Sequence, residues 1–165
     1  MPLVSCRGTA PSPAPMPSRR TRLFPTPDQA ETAFYDAFER RDLAAMMAVW
    51  AESESVVCVH PGGPRLVGFE SVRESWAQIF AAGGPALRIR AVDVQRVDGN
   101  SVAVHALVEV LTAPGQPAPP QTVCATNVYE LTEGGWRMVV HHASPIVEAE
   151  PVREEEAPPP SRVLH

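Results

Sequence analysis

Apolar side chains recur every three to four positions through the first part of this chain and every second position through the last part. That change of period sets the expected architecture. Thr26-Pro27-Asp28-Gln29 reads as a helix start: Thr26 caps, Pro27 suits the first helical position, and Gln29 completes a capping box. Ala30, Ala33, Phe34, Ala37 and Phe38 then fall on one helical face. Asp42 caps a second helix carrying Leu43, Met46, Met47 and Trp50. The β-branched run at 55–60 predicts a buried strand, closed by His60 and the turn residues Pro61-Gly62-Gly63. Gly68 precedes a third helix, with Phe69, Val72, Trp76, Ile79 and Phe80 on one side and Gly83-Gly84-Pro85 as its stop.

From residue 87 onward the period is two. Strands are predicted over 87–97, 101–112, 122–131 and 136–144. Asp98-Gly99-Asn100 is a hairpin turn, a proline-rich loop fills 113–121, and Thr132-Glu133-Gly134-Gly135 joins the last pair. Three helices with one strand among them, followed by a four-strand antiparallel meander, make an α+β domain. A curved antiparallel sheet wrapped around the three N-terminal helices would enclose a cone-shaped pocket, of about 300–1,000 Å³ if it follows common ligand sites. One face of the 101–112 strand is uniformly apolar, with Val102, Val104, Ala106, Val108 and Val110. The opposite face carries His105 and Glu109 among Ala103, Leu107 and Leu111.

Composition narrows the function classes. The chain has 165 residues and a net charge of −5, which argues against a nucleic-acid footprint. It contains no lysine, which excludes lysine Schiff-base chemistry and a P-loop. Cys6, Cys58 and Cys124 are widely spaced and form no CxxC pair, so they read as reduced thiols of a cytoplasmic protein. No apolar run approaches a membrane span. Residues 1–25 are rich in Pro and Arg without acids, and residues 148–165 are acidic and proline-rich. Both segments are expected to be disordered tails around a folded unit at 26–147.

The run Phe38-Glu39-Arg40-Arg41-Asp42-Leu43 with Met47 and Trp50 resembles the helix pair that opens NTF2-like proteins. His60-Pro61-Gly62-Gly63 through Leu66-Val67-Gly68-Phe69-Glu70-Ser71-Val72 is similar to the strand, turn and third helix of SnoaL-like members. Ala125-Thr126-Asn127-Val128-Tyr129 and the 135–144 segment resemble their last two strands. The resemblance implies an NTF2-like cone and a superfamily that includes cyclases, isomerases, dehydratases and plain association domains. In the ketosteroid isomerases of this superfamily, an aspartate at the strand–turn junction moves the proton; His60 stands at that position here. The first-helix tyrosine that binds the developing oxyanion is matched by Phe34, and a late-strand aspartate by Asn127. These departures point away from steroid isomerisation and toward another proton transfer, with His60 as base and Asn127 as donor.

Each candidate has a plainer alternative. His60 either acts as base or holds the Gly62-Gly63 turn, and Asn127 either donates to a ligand or ties down a neighbouring strand. His141 and His142 are adjacent on a strand and face opposite ways, with His142 placed on the side of Trp136, Met138 and Val140 as pocket lining or core. His105 faces either the cavity or the other side of the sheet. Trp50 and Trp76 line the pocket or fill the core, and Tyr35 sits at the cavity edge, off the main apolar stripe. No HExxH motif or GxSxG elbow occurs, so neither a metal nor another cofactor is expected. The expected function is binding of a small hydrophobic molecule, with isomerase-, cyclase- or dehydratase-type proton transfer on it. The alternative is a non-catalytic association or scaffold module. The resemblance further implies a homodimer joined through the sheet face.

Overall fold

The computed structural model describes residues 24–146, apart from residue 116. Most of the two predicted tails lies outside these residues. The exceptions are Phe24 and the exposed Pro25, assigned by composition to the N-terminal tail; Phe24 is tied to the folded unit. The Phe24 side chain is buried, and its carbonyl accepts the Trp136 N–H at 2.8 Å.

Helix α1 (Pro27–Arg40) starts where the Thr26 hydroxyl accepts the Gln29 N–H at 3.2 Å, and it ends at Arg41 in a left-handed conformation. Asp42 then accepts the Ala45 N–H at 2.9 Å and caps α2 (Leu43–Val49). Two short strands follow, β1 (Val57–Val59) and β2 (Arg65–Val67), and then α3 (Phe69–Ala81). Strand β2 was not anticipated from the sequence. Its three residues pair antiparallel with β1 across the Pro61-Gly62-Gly63 turn. Gly68 joins β2 to α3 at φ 91°, a backbone conformation that is strained for any residue carrying a Cβ.

The meander comprises β3 (Arg88–Asp98), β4 (Val102–Thr112), β5 (Gln121–Thr132) and β6 (Gly135–Pro145). The sheet order is β2-β1-β6-β5-β4-β3, with β1 parallel to β6 and every other pair antiparallel. Two irregularities bend it. In β3 the register shifts between Val92 and Gln95, where Asp93 adopts φ 55°. In β6, Val128 faces Val140 while Tyr129 faces Met138, which leaves Val139 as an extra residue. The sheet curves partway around the helices without closing, giving the α+β cone that the pattern predicted.

The core lies between the helices and the concave face. Phe34, Met46, Val49, Trp50, Val72, Trp76, Tyr129 and Met138 are almost wholly buried there. In β4, Ala103, His105, Leu107 and Glu109 point inward. The valine face points outward, with Val102 at 46% exposure, and Val97 of β3 is exposed at 71%.

Candidate functional site

Between α1, α3 and the concave face of the sheet lies a cavity of about 180 Å³. Its apolar walls include Phe34 and Phe38 from α1 and Trp76 from α3, and its polar lining is His60, Glu109 and His141. The Phe34 and Phe38 rings meet Trp76 edge-on at 5.6 and 6.0 Å between centroids. That packing makes the walls rigid. The exposed Pro61 and the half-buried His60 lie on the side nearest solvent. The cavity is smaller than the range expected from the fold, because these three large rings fill much of the cone.

Behind the cavity runs a chain of buried hydrogen bonds. The Tyr35 hydroxyl donates to Glu109 Oε1 at 2.9 Å. Asn127 Nδ2 donates to the same Tyr35 oxygen at 3.3 Å, and Asn127 Oδ1 meets His141 Nδ1 at 2.8 Å. An amide oxygen only accepts, so His141 carries its proton on Nδ1 and presents a lone pair at Nε2. His60 Nε2 lies 3.0 Å from Ser75 Oγ, and its ring stands edge-on to Trp76 at 4.7 Å.

Burial dictates the charge states. Desolvation pushes the Glu109 carboxyl up to about 7; the Tyr35 hydrogen bond works against this and the charge of Glu31 adds to it. Desolvation, with smaller contributions from His60 and His142, lowers His141 to about 3, so it is neutral at pH 7. His60 is lowered too, by desolvation. The Cys58 thiol, 3.7 Å from His60 Nε2, is pushed up to about 12 by burial and then by Glu109, so it is not a nucleophile. The cavity thus holds an acid near neutrality and two uncharged imidazoles inside aromatic walls, a set suited to exchanging protons with an uncharged guest.

A second polar cluster straps α1 to the sheet. His105 Nδ1 donates to Glu31 Oε2 at 2.7 Å, and Arg96 meets Asp28 at 2.9 Å and Glu31 at 3.7 Å. Burial alone would lower His105, but the hydrogen bond and charge of Glu31 prevail and raise it. Oxygen and nitrogen atoms of Asp28, Glu31 and His105 lie within 4.8 Å of one another, a grouping no local motif announces. The Arg96 guanidinium already meets both carboxylates, so the cluster reads as an ionic strap.

A larger groove of about 1240 Å³ runs outside the cone, between α2 and the β5–β6 hairpin, with Trp50, Arg73, Glu130 and Arg137 on its walls. It includes none of the groups with strongly displaced proton affinity except Arg137, whose guanidinium is lowered by partial burial. Glu109, His60 and His141, whose proton affinities are displaced, line the smaller cavity instead.

The SnoaL-like domain family matches residues 28–148. The chain belongs to that family. A solved structure from Thiobacillus denitrificans, provisionally assigned as a calcium/calmodulin-dependent protein kinase type II association domain, is 43% identical with a TM-score of 0.69. That match covers 76% of this chain and 98% of the other. An NTF2-like protein from Streptomyces avermitilis, provisionally assigned as a dehydratase, is 32% identical with a TM-score of 0.66, covering 73% and 94%. The Arabidopsis thaliana F-box protein SKIP8 is 30% identical over 114 residues, which is 68% of this chain. The chain spans about half, 46%, of that relative's length.

Within this SnoaL-like cone, the residues singled out from sequence separate into groups. His60, Phe34 and Trp76 line the cavity. Asn127 is fully buried and engaged at both ends of its amide, one layer behind the wall. Tyr35 reaches inward with it rather than standing at the edge. His105 is buried but turned to Glu31. Trp50 lines the outer groove, not the cavity. His142 is exposed on the outer face. The extra residue at Val139 reverses the alternation, so His141 takes the inward place expected for His142. Glu109 was visible as a lone acid on the polar-bearing face of β4, and that isolation among Leu107 and Leu111 was the available signal.

Proposed function

We propose that this SnoaL-like protein binds a small apolar carbonyl compound in the cone and moves a proton on it. The observation that carries this reading is that Glu109 and His60 line one aromatic-walled cavity. A carboxyl near pH 7 alternates between donor and acceptor. In the forward step the neutral His60 ring takes a proton from the carbon beside the carbonyl. The C–H electrons form the carbon–carbon double bond, and Glu109 gives its proton to the carbonyl oxygen. An enol, a protonated His60 and an ionised Glu109 result, and net charge is unchanged. Asn127 acts as a positioning residue through Tyr35 and His141.

Hydrogen–deuterium exchange at the carbon beside the carbonyl of small ketones in D2O, followed by NMR, tests this. His60→Gln and Glu109→Gln are each expected to slow exchange by about 10²–10⁴-fold, the usual contribution of a general acid or base. Exchange by the native protein no faster than by buffer overturns the reading.

A second reading, the non-catalytic association module, is favoured by the 43% identical Thiobacillus denitrificans protein and by the outward valine face of β4. Under either reading we propose a homodimer formed through that face.

A further inference from the structure

We propose that the ligand of this cavity is an uncharged single-ring carbonyl compound, held by its carbonyl oxygen on the Glu109 carboxyl group. The inference rests on the reading of the cone as a ligand site but not on turnover. Three observations carry it. The first is size. An apolar protein cavity of about 150 Å³ accepts benzene, so 180 Å³ holds one ring with a small substituent and is too small to enclose a fused polycycle. The second is shape and polarity: Phe34, Phe38 and Trp76 present ring faces and edges, which match a flat apolar body. The third is charge. The cavity is lined by no Arg or Lys, so a carboxylate or phosphate would be desolvated beside Glu109 without a counter-ion.

Glu109 is placed to present a proton to the guest. Its Oε1 already accepts the Tyr35 hydroxyl, which leaves the other oxygen as the place for its own proton. The groups around it come from several elements: Tyr35 and Glu31 from α1, Cys58 from β1, Asn127 from β5, His141 from β6, and His60 on the same cavity wall. His141 and His60 are uncharged at neutral pH, for the reasons of burial given above. The proton on Glu109 is therefore present below neutrality and lost above it, so a carbonyl guest should leave as pH rises.

The test is equilibrium binding to the full chain at pH 5.5 and 8.5, read by NMR shifts of the probe and by tryptophan fluorescence. The probes are cyclohexanone, cyclohexylamine, benzoate and a four-ring steroid ketone. Cyclohexanone is expected to bind roughly tenfold or more tightly at pH 5.5 than at 8.5, because a carboxyl titrating near 7 is largely ionised at the higher value. Glu109→Gln keeps an N–H donor in place and is expected to bind cyclohexanone equally at both pH values. Tighter binding of cyclohexylammonium or benzoate, binding of the steroid, or cyclohexanone affinity independent of pH in the native protein overturns this inference and leaves the cone a ligand site. Failure of all four probes to bind at millimolar concentration overturns both. The native-protein titration stands by itself should the variant not fold.

Discussion

Asn127 shows how a single side chain decides between two roles. Its amide is fully buried, donates to Tyr35 and accepts from His141. Both ends of the amide are engaged one layer behind the cavity wall, so its work is to aim its neighbours. Asn127→Leu should therefore destabilise the fold by about 1–3 kcal/mol for each partner left without its hydrogen bond. It should also turn His141 free to choose the other tautomer. Thermal unfolding and the His141 ring NMR signals check this; an unchanged melting temperature would show that the amide is dispensable. Phe34 and Trp76 were legible in the sequence as inward residues because each sits on the apolar stripe of a helix, and His60 because it stands at the mouth of a strand beside a turn. Glu109 and Tyr35 were seen but not joined. The bond between them spans 74 positions, and only the packing of α1 on β4 brings them within 2.9 Å.

At the scale of elements, regular periodicity was readable and its interruptions were not. All three helices and the four long strands stand where the change of period placed them, within a residue or two. Strand β2 escaped because three residues, Arg65-Leu66-Val67, are too short to show alternation. The extra residue in β6 escaped because a bulge leaves no compositional mark in Val139-Val140, yet it exchanges the faces of His141 and His142. In β4, where no bulge intervenes, the alternation held but its direction was open from sequence: Glu109 and His105 face in, the valines face out. Val104 lies in the middle of that outward face. If two copies pair there, Val104→Arg places like charges against each other in an apolar contact and should convert dimer to monomer, with the fold intact because the side chain points away from the core. Sedimentation of both proteins at micromolar concentration measures it, and a native protein that is already monomeric sinks the proposed pairing.

For the whole molecule, the buried titrating groups make stability depend on pH in two opposed ways. His141 has its folded value lowered from 6.5 to about 3, so its contribution is full above 6.5 and is lost as pH falls toward 3. Glu109 has its folded value raised from 4.5 to about 7, so its contribution is full below 4.5 and is lost as pH climbs through 7. Between 4.5 and 6.5 the two slopes oppose each other, and the native protein should show a flat profile from this pair. The ionic strap adds a loss above 6.5, since His105 is raised and loses its proton to solvent as pH climbs past that value, which ends its charge pairing with Glu31. Replacing Glu109 by Gln removes one member and leaves the rest in both proteins, so the difference between variant and native isolates the carboxyl. Glu109→Gln should gain on the native protein as pH rises from 4 to 8, by an amount on the order of 2–3 kcal/mol, given about 1.4 kcal/mol for each unit of displaced proton affinity. Urea unfolding of both proteins across that range gives the difference directly. A gap that stays constant with pH would mean that Glu109 titrates normally in the folded protein, and the cavity would then lack the acid that both its proposed chemistry and its proposed ligand require.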